Sequence, residues 1–427
     1  MRGEGMKINW KKIIVAAGLG ISIFVCAGCS SKKTTEVKEN KDTLKICTEH
    51  YYLESIKNLI DAWECMNKGV KAEVILLPRD SDEKKIKIDE IRTEMLSGGG
   101  PDVFVLSGRN PNGLEEIPSL FSNPEKAMHT GVFMPLDYYI EHAEYFNPEH
   151  YNQVVMDVGK TKEGQCLLPI AYTYNISYFE EPQENPVQMP LPSWENLVSG
   201  KSEVAYNTSL NLSFRFFDVL GEYADYENKK LLISEEELFE YVRDAVTFLR
   251  DVQNSSKKGE SVQINAKNIE NFFSSIQELK KDPNSLLAIP NREGGINANV
   301  SVYAGINKNT TKPTQAFSIL DLLFSDEVMS GRGFKIGHKF WGNTANFTLE
   351  GVTTHVEILN ELCKLLPDNT EKALKEINSQ VNSVRVYSDL DSDINIMYQQ
   401  CCTANNEEEQ RKIVAETYER MEMKLAE

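Results

Sequence analysis

Apolar positions in the first half of the chain follow two rhythms in turn. Leu44-Lys45-Ile46-Cys47 and Val70–Leu77, VKAEVILL, are short runs bounded by polar residues, and each predicts a strand. Between them Ile56, Leu59, Ile60 and Trp63 recur at i, i+3, i+4 and i+7, one face of a helix. Ile88, Ile91, Met95 and Leu96 mark a second helix. Val103-Phe104-Val105-Leu106 is continuous and apolar, as expected of a strand buried on both faces. Strands alternating with helices predict a mostly parallel α/β sheet.

The stretch LSGGGPDVFVLS, residues 96–107, invites reading as a phosphate cradle. Its direction argues otherwise, because a phosphate loop follows a strand and opens a helix. Here Gly98 to Gly100 follow a helix, where a left-handed cap is wanted, and Pro101 blocks continuation. The stretch is a corner that delivers Ser107, Gly108, Arg109 and Asn110 beyond a strand end, where ligands bind in open α/β sheets.

Further along, Ser234-Glu235-Glu236-Glu237 is a capping box. Leu238, Tyr241, Val242, Ala245, Leu249 and Val252 follow on one helix face. Tyr303-Ala304-Gly305-Ile306 reads as a strand end, with Ala316, Ile319, Leu320 and Leu323 on the helix after it. The last ~55 residues are expected to be helical, from period-3.6 patterning.

The amino terminus changes the picture. Lys7, Lys11 and Lys12 precede an apolar run from Ile13 to Gly28, the pattern of a secretory leader. The run is shorter than the ~20 residues a membrane span needs. Ala27-Gly28-Cys29 resembles a bacterial lipobox, which implies cleavage before Cys29 and lipidation of its thiol. Cys26 stands where that motif usually has Leu. Residues 30–42, SSKKTTEVKENKD, read as a solvated tether reaching at most ~45 Å. Four basic residues and one acidic residue leave with the leader, so the net charge of −18 becomes −21. So acidic a chain is unsuited to nucleic acid or to anionic lipid surfaces. Six cysteines remain beyond Cys29, without zinc spacing, and buried free thiols are expected, Cys47 in a strand and Cys65 at a helix end among them.

Several segments, in order, resemble the extracellular solute-binding proteins of ABC importers, in the sugar-binding branch that includes maltose-binding protein. They are Leu44 to Thr48, Ala62-Trp63, Gly99-Gly100-Pro101-Asp102-Val103 and Met134-Pro135-Leu136-Asp137. They continue through GQCLLP at 164–169, Tyr174-Asn175, Pro192 to Leu197 and Ala304 to Lys308. The resemblance implies an α/β, two-lobed periplasmic-binding-protein-like fold of type II, with the ligand cleft between lobes joined by crossing hinge segments. Residues 1–28 would be the leader and 29–42 the lipidated cysteine and tether. One lobe would take 43–168 plus 304–365, and the other 169–303 plus 366–427. The implied mechanism is hinge closure around a ligand. The implied partners are a small-molecule ligand, a sugar by family, and the permease subunits of a transporter. The chain would be a monomer, held by its lipid at the extracytoplasmic face of the cell membrane.

Sugars need aromatic platforms and planar hydrogen-bonding groups. Glu49, His50 and Tyr51 follow the first strand, and Arg109 and Asn110 follow the third. Tyr172 lies at the expected lobe crossing beside Thr173 and Tyr174. Tyr303, Trp341 and Tyr387 are further candidates, each more readily read as packing. His50 has no second His or Cys at ligand spacing, so no metal and no cofactor are expected. The Gly-x-x-Ala-Met stretch of many sugar-binding relatives has no match around 271–279, where Phe272 or Phe273 would have to substitute. A peptide, polyamine or organophosphate ligand stays open, as does a sensor or scaffold without transport. No GxSxG or HExxH motif argues for an enzyme.

Overall fold

The computed structural model describes residues 43–108, 118–174, 176–178, 194–199, 215–256, 286–288, 290–331, 334–336, 339–341, 351–366 and 368–427. The leader, Cys29 and tether lie outside the described residues, as do Arg109, Asn110 and the stretch 271–279. All the described residues fall in the unit Asp42–Glu427. No helix among them is long and apolar enough to cross a membrane.

Seven strands make the central sheet: β1 (Thr43–Glu49), β2 (Lys71–Leu77), β3 (Val103–Ser107), β4 (Leu167–Tyr174), β5 (Ile296–Ile306), β6 (Val352–Thr353) and β7 (Val381–Val386). Their order is β6-β4-β5-β3-β1-β2, with β7 also on β5. The expected β-α-β alternation is present, since β1 pairs in parallel with both β2 and β3. The sheet is mixed rather than mostly parallel, because β5 runs antiparallel to β3 and β4.

Helix α1 (Leu53–Met66) presents Ile56, Leu59, Ile60 and Trp63 to one side of the sheet. α6 (Pro313–Leu323) packs there too, through Ala316, Ile319, Leu320 and Leu323. The opposite side is covered by α2 (Ser81–Leu96), α3 (Pro124–His129) and α9 (Asp368–Ser379). α2 buries Ile88 and Ile91, whereas Leu96 is exposed because the helix ends there and points it outward. Gly98 and Gly100 both take the left-handed conformation that the corner requires, at φ +86° and +92°. Asp102 then staples the corner, accepting from the Lys45 amide at 2.8 Å and facing Lys312 Nζ at 3.2 Å.

A third core is helical. It joins the turn Phe216–Leu220, α5 (Glu235–Ser256), α10 (Asp389–Thr403) and α11 (Glu407–Ala426). The box at the start of α5 forms as read, with the Ser234 amide donating to Glu237 Oε2 at 2.9 Å. One expectation needs correction. The carboxyl-terminal segment is not helical throughout, since Val381–Val386 is strand β7 of the central sheet. α9 packs on the sheet, and the helical core takes up the chain again with α10. Of the six cysteines, all free, Cys65 is exposed, because its position in α1 faces away from the sheet.

Candidate functional site

β5 organises the site. One of its edges is taken along most of its length by β4. Its other edge is shared between two shorter strands that run toward each other. β3 ends with Ser107 opposite Val302, and β7 ends with Val386 opposite Val300. Two carboxyl ends therefore meet at the middle of β5, a topological switch of the kind where open sheets bind ligands. Gly108 lies in the gap, its amide donating to the Ser301 carbonyl at 2.9 Å. A side chain there has no room, since a Cβ would stand 2.3 Å from the Val300 carbonyl oxygen.

A buried polar network grows from this point. Asn297, Asn299 and Ser301 alternate on β5 with apolar Ala298 and Val300. Asp218 Oδ1 accepts from the amides of both Asn297 and Asn299 at 2.8 Å. Asn297 Oδ1 accepts from Ser383 Oγ at 2.9 Å and from Arg385 at 3.3–3.4 Å. Arg385 Nη1 donates to Asp391 Oδ1 at 2.8 Å, and Tyr223 donates to the same oxygen at 2.8 Å. The guanidinium also lies 4.5 Å from the centre of the Tyr223 ring. Burial opposes its charge, but Asp391 and the nearby Tyr223 and Asp218 outweigh burial and raise its pKa. Asp391 Oδ2 accepts from the Ser388 amide and hydroxyl, which caps α10. The network is not saturated. Asn299 Oδ1, Ser301 Oγ and Thr173 Oγ1 are buried without a hydrogen-bond partner. Thr173 stands directly opposite Asn299 across the ladder. Buried polar atoms that lack partners are uncommon, and each asks for an explanation such as an ordered water or a ligand.

The free edge of β7 walls an adjoining cavity of about 360 Å³. α3, α4 (Gln153–Asp157) and residues 222–226 complete the wall. That volume lies near the low end for small-molecule pockets, ~300–1,000 Å³. Glu125 Oε1 accepts from the Val386 amide at 2.8 Å, taking the place of a strand partner. Burial pushes the Glu125 carboxyl up to about 8, against the opposing pull of that amide and of Arg385. Glu125 is thus a neutral acid at pH 7, able to donate as well as accept. His129 is shifted the other way, its desolvation favouring the neutral ring.

The residues expected from sequence are scattered around this site. Glu49 is buried and faces Lys84 of α2 at 3.2 Å, an internal ion pair. His50 and Tyr51 lie on the surface after β1, their rings edge to face at 6.4 Å, with Tyr51 53% exposed. Tyr172 and Tyr303 do not offer ring faces to solvent, at 0% and 1% exposure, because β4 and β5 are buried at every position. The Tyr172 hydroxyl is held by Asn378 of α9. Tyr303 is near Glu49, whose charge adds to burial in raising the phenol pKa. Tyr387 follows β7 and meets Phe217 edge to face at 5.4 Å, bridging sheet and helical core. Trp341 pairs with Phe334 in a two-stranded ribbon. Arg109 and Asn110 follow Gly108, outside the described residues. Sequence reasoning named Thr173 only in passing and missed Glu125, Asp218, Asn297, Asn299, Ser301 and Arg385.

No family model matches the chain, and no curated protein matches it. Solved structures do. An extracellular solute-binding protein family 1 member from Alicyclobacillus acidocaldarius is 13% identical, with a TM-score of 0.56 over 89% of this chain and 98% of that one. The sugar-binding protein MalE of Xanthomonas citri is 11% identical, at 0.58 over 90% and 97%. A periplasmic oligogalacturonide-binding protein from Yersinia enterocolitica is 13% identical, at 0.57 over 90% and 99%. At these identities the likeness is one of fold, and the chain has the two-domain α/β fold of the solute-binding proteins.

Proposed function

We propose that the chain is the extracytoplasmic solute-binding component of an ABC importer, lipid-anchored through Cys29, and that it takes a carbohydrate at the meeting of β3 and β7. The observation that carries this reading is the unsaturated polar network. Asn299, Ser301 and Thr173 hold unmet hydrogen-bonding capacity where two strand ends converge on β5. A polyhydroxylated ligand supplies donors and acceptors in the density this network asks for. The solved neighbours named for sugars and oligogalacturonide support the ligand class.

In this reading β4 and β5 carry the lobe crossings, near 169 and 304, and movement about them opens and closes the cleft. Closure is favoured only to the extent that the ligand binds the closed form better. Arg385 and Asp391 tie β7 to α10, so the ligand would sense both parts through one network. The permease would then read the closed form as the loaded one. His50, Tyr51, Arg109, Asn110 and Trp341 are proposed as rim contacts that the network itself does not supply, whereas Glu49 is committed to Lys84.

One observation favours a second ligand class. Asp157 and Glu222 line the cavity beside the neutral Glu125, and although Lys160 and Arg385 share the wall, these two carboxylates would draw a cation such as a polyamine. The test is the thermal midpoint of residues 30–427 against mono- and oligosaccharides, peptides and polyamines. Ligand at 100 times its Kd adds about 2.7 kcal/mol, a shift of several degrees. A shift with one sugar class that is lost in Asn299→Ala supports the first reading. A shift with polyamines alone transfers support to the second, and no shift anywhere removes both.

A further inference from the structure

Three segments far apart in sequence meet on the described surface away from β7. His150 ends a short turn at Pro148–His150, Asp326 opens α7 (Asp326–Met329), and His355 caps α8 (Val356–Cys363). One ligating atom from each residue lies within 4.8 Å of the other two. His355 Nε2 stands 3.2 Å from Asp326 Oδ1. A tetrahedral zinc ion with bonds of 2.0–2.2 Å sets its ligand atoms about 3.4 Å apart. One pair is already at that spacing, and a modest swing of His150 closes the set.

Two further features point to a ligand. His355 is 1% exposed, and its Nε2 makes no well-aligned hydrogen bond, although the Asp326 carboxylate stands 3.2 Å away. A buried ring nitrogen turned toward a carboxylate at that distance offers, with it, two donors to one cation. The three carriers are also fixed to one another before any ion arrives. Tyr151 bridges to His355 through the backbone, and the Asn152 amide donates to the Thr354 carbonyl at 2.9 Å. The Tyr151 hydroxyl donates to the Phe324 carbonyl at 2.7 Å, two residues before Asp326. Asp326 itself is 67% exposed, so the fourth position opens to water.

We propose that His150, Asp326 and His355 form a binding site for a divalent transition ion of the zinc type. Two imidazoles and one carboxylate are the donor set such an ion prefers. Bound there, the ion clips the 148–151 turn to α7 and α8, and so fixes the segment that leads into α4 at the cavity wall.

The site carries its own reporter. The Ile358 amide donates to His355 Nδ1 at 3.3 Å, capping α8. That bond keeps the proton of a neutral ring on Nε2. An ion at Nε2 needs the lone pair there, so the proton moves to Nδ1 and the cap is lost. Losing a cap is a small effect beside the affinity of structural zinc.

The test uses the tag-free full chain, stripped with a chelator and titrated with Zn²⁺ by calorimetry and with Co²⁺ by visible absorption. The expected result is one ion per chain with micromolar or tighter affinity and a tetrahedral Co²⁺ spectrum. Faster hydrogen exchange at Ile358 should accompany Zn²⁺. His150→Ala and His355→Asn should each weaken binding at least tenfold. Asn caps helices well, so the second variant keeps α8 while removing the ligand. The proposal is overturned by no binding at 100 µM Zn²⁺, or by binding that both variants leave unchanged, which would assign the ion to thiols such as Cys65.

Discussion

Replacing Glu125 by Gln should stabilise the protein in alkali and leave it unchanged in acid. In the fold Glu125 has a pKa of about 8, raised by burial from 4.5. Between those values the native state holds a proton that the unfolded state has released. Stability therefore falls as pH rises through this window, by up to 1.36 kcal/mol per unit. The full span gives an upper limit of ~5 kcal/mol. The side chain is partly open to the cavity, and water there reduces the expected loss to ~2 kcal/mol. Gln has the shape of the protonated acid, and its Oε1 still accepts from the Val386 amide. Urea unfolding at pH 5 and pH 8.5 separates the cases. The variant should lie within ~0.5 kcal/mol of the parent at pH 5 and exceed it by ~2 kcal/mol at pH 8.5. If the variant is weaker by the same amount at both pH values, Glu125 is ionised in the fold, and the assignment of a neutral acid to the cavity fails.

Two further substitutions test the frame around the cleft. Gly108→Ala forces a Cβ to within 2.3 Å of the Val300 carbonyl and should destabilise by about 1–3 kcal/mol in urea, while Gly99→Ala, with its nearest contact at 3.5 Å, should stay near the parent. Arg385→Met leaves Asp391 buried without its cation and should lose about 3–5 kcal/mol, with Arg385→Met/Asp391→Asn recovering part of it; equal loss in the single and double variants would show that the charge pair is not what holds β7 to α10.

Local order was legible because it is written in neighbours. The faces of α1 and α6, the corner at Gly98–Asp102 and the box at Ser234–Glu237 each depend on residues a few positions apart, and the structure has all four. β7 was missed for a reason of the same kind. VNSVRV is six residues long with buried Val381, Ser383, Arg385 and Val386, too short and too polar to stand out between helices. The site was harder because its meaning is non-local. Aromatic residues at strand ends looked like platforms, but Tyr172 and Tyr303 are on strands flanked on both edges and covered on both faces, which sequence cannot reveal. The network did leave a trace in INANVSV, 296–302, where polar residues occupy every second position of a strand. Alternation of that kind is normally the mark of a solvated face. Every residue of β5 is buried, so those side chains must answer to something other than bulk water. Asp218 and Arg385 answer Asn297, and Asp218 answers half of Asn299. The remaining half, with Ser301 and Thr173, is the capacity that a ligand in the cleft is proposed to fill.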